Sequence, residues 1–164
     1  MTDSNVIARV EARPYISHST IGIGSFDLEG TGHGADHILS PQPGGAYLES
    51  SDSGFYPMVR LERLAGTPSD DDQTAWDYER VIPSVVVNGR LAVAALGSEV
   101  SCELSVPEGQ YGLRIRCRGR DHTPVAELYE ALEEELDDDE DYMHEDPLEH
   151  WLIQIWPQAK MPAA

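Results

Sequence analysis

Residues 100–117, VSCELSVPEGQYGLRIRC, decide how this chain is read. Taken as a hairpin with its turn at Pro107-Glu108-Gly109-Gln110 and Val106 facing Tyr111, the alternation puts Cys102, Leu104, Val106, Tyr111, Leu113, Ile115 and Cys117 on one face. Such a face belongs in a core. The other face carries Ser101, Glu103 and Ser105 on the first strand and Gly112, Arg114 and Arg116 on the second, with Arg118 and Arg120 just beyond. It has to meet solvent or a partner. In this register Glu103 stands opposite Arg114, a cross-strand ion pair of about 0.2–1 kcal/mol. The remaining arginines have no acidic neighbour on the hairpin, and the nearest supply of acid is the segment that follows.

Upstream, Trp76 to Val87 and Leu91 to Leu96 flank Asn88-Gly89, a pair that tolerates the positive φ of a type I′ turn and predicts a second hairpin. Val6 to Glu11, Tyr15 to Gly24, Tyr47 to Ser50 and Phe55 to Leu64 are further strands, and HWLIQIWP, ended by Pro157, is the last. Gly22 and Gly24 alternate with Ile21 and Ile23 and suggest a bulge or a close backbone approach. Leu28 to Gly45, rich in Gly, His, Pro and Ser, reads as a loop, and GTPSDDDQT at 66–74 as an exposed connection. Strands with turn signals roughly every ten residues predict an all-β protein, an antiparallel β-sandwich. At 164 residues it is one domain, 1–164.

Residues 124–136, PVAELYEALEEEL, break the pattern. Pro124 suits a first helical turn, and Val125, Leu128, Leu132 and Leu136 form one stripe, which predicts a short acidic helix inserted before the last strand. DDDEDYMHEDP then completes an insertion at about 124–148.

Charge is the unusual property. Eleven Lys and Arg against thirty Asp and Glu leave a formal charge of −19 and a pI near 4.4. Thirteen acidic residues and no Lys or Arg lie between Glu127 and Glu149, and without them the charge would be −6. A chain of this sign does not neutralise phosphates, so neither nucleic acid nor an anionic membrane is a direct partner. A basic protein is. The start MTDSNVIARV lacks the pattern of a secretory signal and no window approaches eighteen apolar residues, so a soluble, cytoplasmic protein is expected. Cys102 and Cys117 are accordingly read as free core thiols.

Three uses of the acidic segment are open. It can be a solvated insertion, part of it folded back onto Arg114, Arg116, Arg118 and Arg120. It can be a surface for a basic protein, its carboxylates standing where nucleic-acid phosphates would sit, with association steered by charge and weakened by salt. Calcium is the third, although the run keeps neither the spacing nor the twelfth-position Glu of an EF-hand loop. The partner-binding residues expected are Asp137, Asp138, Asp139, Glu140, Asp141, Glu145 and Asp146, with Tyr142 and Met143 as apolar anchors.

Catalysis and cofactors find little support. GTGHG at 30–34 lacks the Gly-Lys-Ser/Thr of a phosphate-binding loop. The six histidines (His18, His33, His37, His122, His144 and His150) follow no metal-ligand or catalytic spacing, and the cysteines project inward, so no enzyme, metal or cofactor is expected. His150, beside Trp151, is expected to be structural rather than a pocket lining.

The second half resembles the competence nuclease inhibitor (ComJ-like) family. The resemblance is carried by Tyr78-Glu79-Arg80-Val81-Ile82-Pro83, the Val-x-Asn-Gly-x-Leu pattern at 86–91, Leu-x-Val-Pro-x-Gly-x-Tyr-x-Leu from Leu104 to Leu113, and the strand around Trp151 to Ile155. The chain departs from the family pattern in its acidic insertion and in the length of the 28–45 loop. The resemblance implies a β-sandwich without an active site, acting by occlusion on a nuclease, or a related immunity protein that neutralises a toxin nuclease. The alternative from another class is a structural or small-ligand-binding β-sandwich whose acidic insertion is merely solvated.

Overall fold

The 100–117 stretch does not turn back at Pro107. In the computed structural model, which describes residues 5–16, 20–25, 38–42, 44–50, 56–69, 75–95, 99–119 and 149–158, it lies within one strand, β7 (Val100–Arg118). Its partner is a strand of nearly the same length, β6 (Tyr78–Ala95), which runs antiparallel to it. Neither expected hairpin forms, and each turn signal marks a register shift in this ladder instead. Asn88 stands against Pro107 and Glu108 where the register shifts between Val87 and Gly89, and Pro83-Ser84 stand against Gly112 where it shifts between Ile82 and Val85.

The physical reason lies in parity. Val106 and Tyr111 are both buried although five residues apart, so the chain must gain or lose a residue between them. A turn does this, and so does a bulge. The bulge lets all of β7 pair with β6, and Pro107, which has no N–H to donate, loses nothing at an unpaired position. Tyr111 secures the bend by donating its hydroxyl to the Pro107 carbonyl at 2.7 Å, while Gly89 takes the positive φ of 91° that the kink in β6 requires.

Among the described residues there are six shorter strands: β1 (Val6–Ala12), β2 (Thr20–Gly24), β3 (Leu39–Gln42), β4 (Gly45–Glu49), β5 (Met58–Leu64) and β8 (His150–Pro157). β3 falls inside the stretch read as loop. All eight hydrogen-bond into one sheet of order β1-β5-β8-β7-β6-β2-β4-β3. The sheet is mixed, where the alternation suggests an antiparallel sandwich. β5 and β8 run parallel, which is possible because a long stretch of chain separates them and no tight turn has to join them. Among the described residues there is no helix, and the expected acidic helix lies outside them.

One hydrophobic cluster joins both ends of the sheet, from Ile21, Ile23 and Leu48 to Val59, Leu61, Ile153 and Ile155. The sheet therefore bends over its own core. β1 comes within 8 Å of β7 between Cα atoms although β5 and β8 stand between them, and Ser50, just past β4, reaches Glu149 at the start of β8. Cys117 is fully buried, Cys102 half-buried, and both are free. They stand in one strand, fifteen positions apart.

The outer face corrects a second expectation. Glu103 pairs with Arg90 at 2.9 Å, not with Arg114. Arg114 and Arg116 are only 4% and 5% exposed, so they do not form a bare cationic face. Arg114 donates through Nε to Gln154 Oε1 at 3.0 Å, Gln154 donates to Glu62 Oε1 at 2.9 Å, and Glu62 receives Arg9 Nε at 2.7 Å. This row runs in register across β7, β8, β5 and β1 and holds β8 between its neighbours. In the next row Arg60 pairs with Glu11 at 2.6 Å and Arg116 with Glu79 at 3.3 Å.

Candidate partner-binding rim

The acidic segment has two fixed ends. Arg118, the last residue of β7, is the ladder partner of His150, the first of β8, so the chain leaves the sheet and returns to it on neighbouring strands, about 5 Å apart. At the exit Gly119 adopts a φ of 85° and donates its N–H to Asp77 Oδ2 at 2.6 Å, while the Asp77 N–H donates to the Cys117 carbonyl at 2.9 Å. At the return Glu149 is 1% exposed. Its Oε1 accepts from Trp151 Nε1 at 2.5 Å, its Oε2 accepts from Ser50 Oγ at 3.1 Å, and its carbonyl accepts from the Met58 N–H at 2.9 Å. Composition counts Glu149 with the acidic run. Its environment makes it a core anchor.

The nine expected partner-binding residues (Asp137, Asp138, Asp139, Glu140, Asp141, Tyr142, Met143, Glu145 and Asp146) lie outside the described residues, as does Arg120. Of the arginines onto which the segment could fold, Arg114 and Arg116 are engaged by Gln154 and Glu79. Arg118 is exposed and stands 5.9 Å from the Trp76 ring centroid, with Arg116 at 5.8 Å from the same ring.

Other chain ends meet at this rim. Ala12 pairs with Val59 and Met58 with His150, so residues 13–16 and 56–57 emerge beside Glu149, while 75–77 emerge beside Gly119. The Tyr15 and Tyr56 rings pack at 5.0 Å between centroids and 52° between planes. Arg13 Nη2 donates to the Tyr56 carbonyl at 3.0 Å, and Tyr15 stays 46% exposed. Sequence reasoning left Tyr15, Tyr56 and Trp76 out of the site. Their signal was position: each stands just beyond a strand end, and the sheet order makes those ends neighbours.

Among the described residues no three His, Cys, Asp or Glu side chains gather as a metal site. His150 is the one histidine described, half-buried in the ladder between Met58 and Arg118. Burial pushes the Cys102 thiol above its ordinary pKa, which makes it a poor nucleophile. What the described rim offers is aromatic surface, from Tyr15, Tyr56 and Trp76, around two pinned strand ends.

No family model matches the sequence, and no curated protein matches it. Among solved structures the chain is similar to ComJ of Bacillus subtilis, described as the inhibitor of the DNA-degrading activity of NucA. The identity is 11%, the match covers 93% of this chain and 97% of that one, and the TM-score is 0.57. A second similar structure is described as crocagin biosynthetic gene J, with 18% identity, 93% and 100% coverage and a TM-score of 0.51. At such identities the likeness is one of architecture, and on that ground this chain has a ComJ-like fold.

Proposed function

We propose that this chain is a binding protein that inhibits or neutralises a nuclease by laying the acidic segment over the enzyme's nucleic-acid groove. Asp137, Asp138, Asp139, Glu140, Asp141, Glu145 and Asp146 supply the charge, with Tyr142 and Met143 as apolar contacts. The observation that carries the reading is an acidic segment held between two pinned ends on neighbouring strands, Gly119 on Asp77 and Glu149 in the core. The ComJ-like fold supports it. A tether at both ends limits the entropy lost when the segment is fixed against a partner. Charge of one sign attracts a phosphate-binding groove from a distance, over a Debye length of about 8 Å at physiological salt. The substrate mimicked is polyanionic, so the partner is cationic, and the cytoplasm is the compartment in which we place the pair.

Inhibition tests this directly. The purified chain is titrated into DNA digestion by a panel comprising NucA of Bacillus subtilis and the nucleases of the organism that carries this gene. At least one digestion should stop at stoichiometric inhibitor, with an association rate that falls as salt rises. Asp137, Asp138, Asp139 and Asp141 to Asn with Glu140→Gln should raise the dissociation constant by at least about tenfold in low salt while leaving the melting temperature in place. Equal affinity of the variant and the wild type would remove the acidic segment as the binding surface.

A further inference from the structure

The acidic segment is not the whole of the interface. We propose that the Tyr15–Tyr56 pair is its aromatic anchor, taking an Arg or Lys side chain of the same cationic partner beside the acidic segment; this rests on the reading given under Proposed function. Three observations carry it. Among the described residues Tyr15 is the one aromatic among the large apolar side chains left exposed, at 46%, whereas Ile7, Val81, Val86 and Val100 are aliphatic. The pair is built rather than loose: Arg13 holds the Tyr56 carbonyl at 3.0 Å, the rings support each other at 5.0 Å, and buried Pro14 and Pro57 fix the backbone next to each ring. Little entropy remains to be lost there on binding.

Position is the third. Tyr56 stands two residues before Met58, which pairs with His150, and Tyr15 follows β1, which pairs with β5. The rings therefore lie one to two strand spacings, roughly 5–10 Å, from the point where the acidic segment rejoins the sheet. An interface of standard size, about 800 Å² a side, would cover both. Trp76, on the other flank, is a poorer receptor for a partner's cation because Arg116 and Arg118 already stand over its ring at 5.8 and 5.9 Å. A tyrosine face on a chain of net charge −19 suits a guanidinium or ammonium group.

The probe is the nuclease of the panel that the wild-type chain inhibits most tightly. Its dissociation constant is measured at several salt concentrations for Tyr15→Ala, Tyr15→Phe, the five-position acidic variant and Ile7→Ala. Ile7 is exposed on β1 toward the opposite rim, five positions from Ala12, and serves as a surface control. Tyr15→Ala should weaken binding at least about tenfold with the salt slope unchanged, Tyr15→Phe should bind like the wild type, and Ile7→Ala should change nothing. The melting temperature of each variant guards against a folding effect. If Tyr15→Ala binds like the wild type while the acidic variant weakens, the anchor is wrong and the acidic surface stands. Equal losses for Tyr15→Ala and Ile7→Ala also overturn the anchor. If the wild type inhibits no nuclease, the reading beneath the proposal fails and the proposal falls with it.

Discussion

Replacing Glu149 by Ala should cost about 3–5 kcal/mol, although composition counts this residue with the acidic run. Were it on the surface, the change would stay within about 0.5 kcal/mol. In the structure the carboxylate is 1% exposed and accepts from Trp151 Nε1 at 2.5 Å and Ser50 Oγ at 3.1 Å. An orphaned buried donor costs about 1–3 kcal/mol. The indole of Trp151, itself 1% exposed, has no water to turn to and belongs at the upper end. The Ser50 hydroxyl can rotate and belongs at the lower end, and the vacated volume adds about 1 kcal/mol. For a chain of this size the melting temperature should fall by roughly 6–20 °C. Glu149→Gln keeps one acceptor oxygen but turns an NH₂ group toward the second donor, so its loss should be smaller than that of Ala. The assay is urea denaturation followed by tryptophan fluorescence, with the slope unchanged and the midpoint lowered. A double-mutant cycle with Ser50→Ala should show a coupling above about 0.5 kcal/mol. A Glu149→Ala midpoint matching the wild type would refute the anchor.

Two further outcomes follow from single contacts. A Cβ on Gly112 would lie 2.5 Å from Cε2 and Cζ2 of the Trp156 ring, so Gly112→Ala should displace that indole, cost about 1–3 kcal/mol and shift the tryptophan emission; unchanged emission and stability would show that the ring does not lie over this glycine. Burial raises the Cys102 pKa, so the thiol is the form the fold favours: its stabilising contribution is full below the ordinary thiol pKa and is lost as pH rises through the shifted value. Its alkylation by iodoacetamide in the folded chain should therefore reach half its limiting rate at a higher pH than that of free cysteine, and a midpoint at or below that of free cysteine would contradict the burial.

Strand existence was legible and strand pairing was not, for a reason visible in Val106 and Tyr111. Their odd spacing records a change of parity, and parity alone does not distinguish a chain that reverses from one that bulges and continues. Asn88-Gly89 shows the same ambiguity, because the positive φ that opens a type I′ turn also serves a kink within a strand. Local signals report the conformation of two or three residues. Which strand lies alongside is decided by how much apolar surface the whole arrangement buries, and the long β6–β7 ladder places Leu91, Val93, Leu104, Leu113 and Ile115 in one core. β3 was missed because its Leu39–Gln42 segment holds a proline at a sheet edge, where proline is tolerated and strand propensity is weak. Glu149 was missed as an anchor because burial is not written in composition: its partner Ser50 is far away in sequence and meets it only once the sheet has bent.

Where the acidic segment is inserted matters as much as its charge. In the order β1-β5-β8-β7-β6-β2-β4-β3 its two ends belong to interior strands, each paired on both sides, and not to either edge. Edge strands and termini open at low free energy, whereas central strands open only at a cost close to that of global unfolding. A segment launched from an edge would loosen its own mooring as its carboxylates repelled one another. Launched from β7 and β8, it is moored on a ladder held by the Arg114–Gln154–Glu62–Arg9 row and by Glu149 in the core. β8 also reaches its place between β5 and β7 only after the acidic segment has been traversed, so completing the sheet and closing the acidic segment at both ends are one step. A chain lacking β8 would thus lose more than its last strand: it would lose the parallel pairing of β5, the second mooring, and with them the rim on which the proposed interface is built.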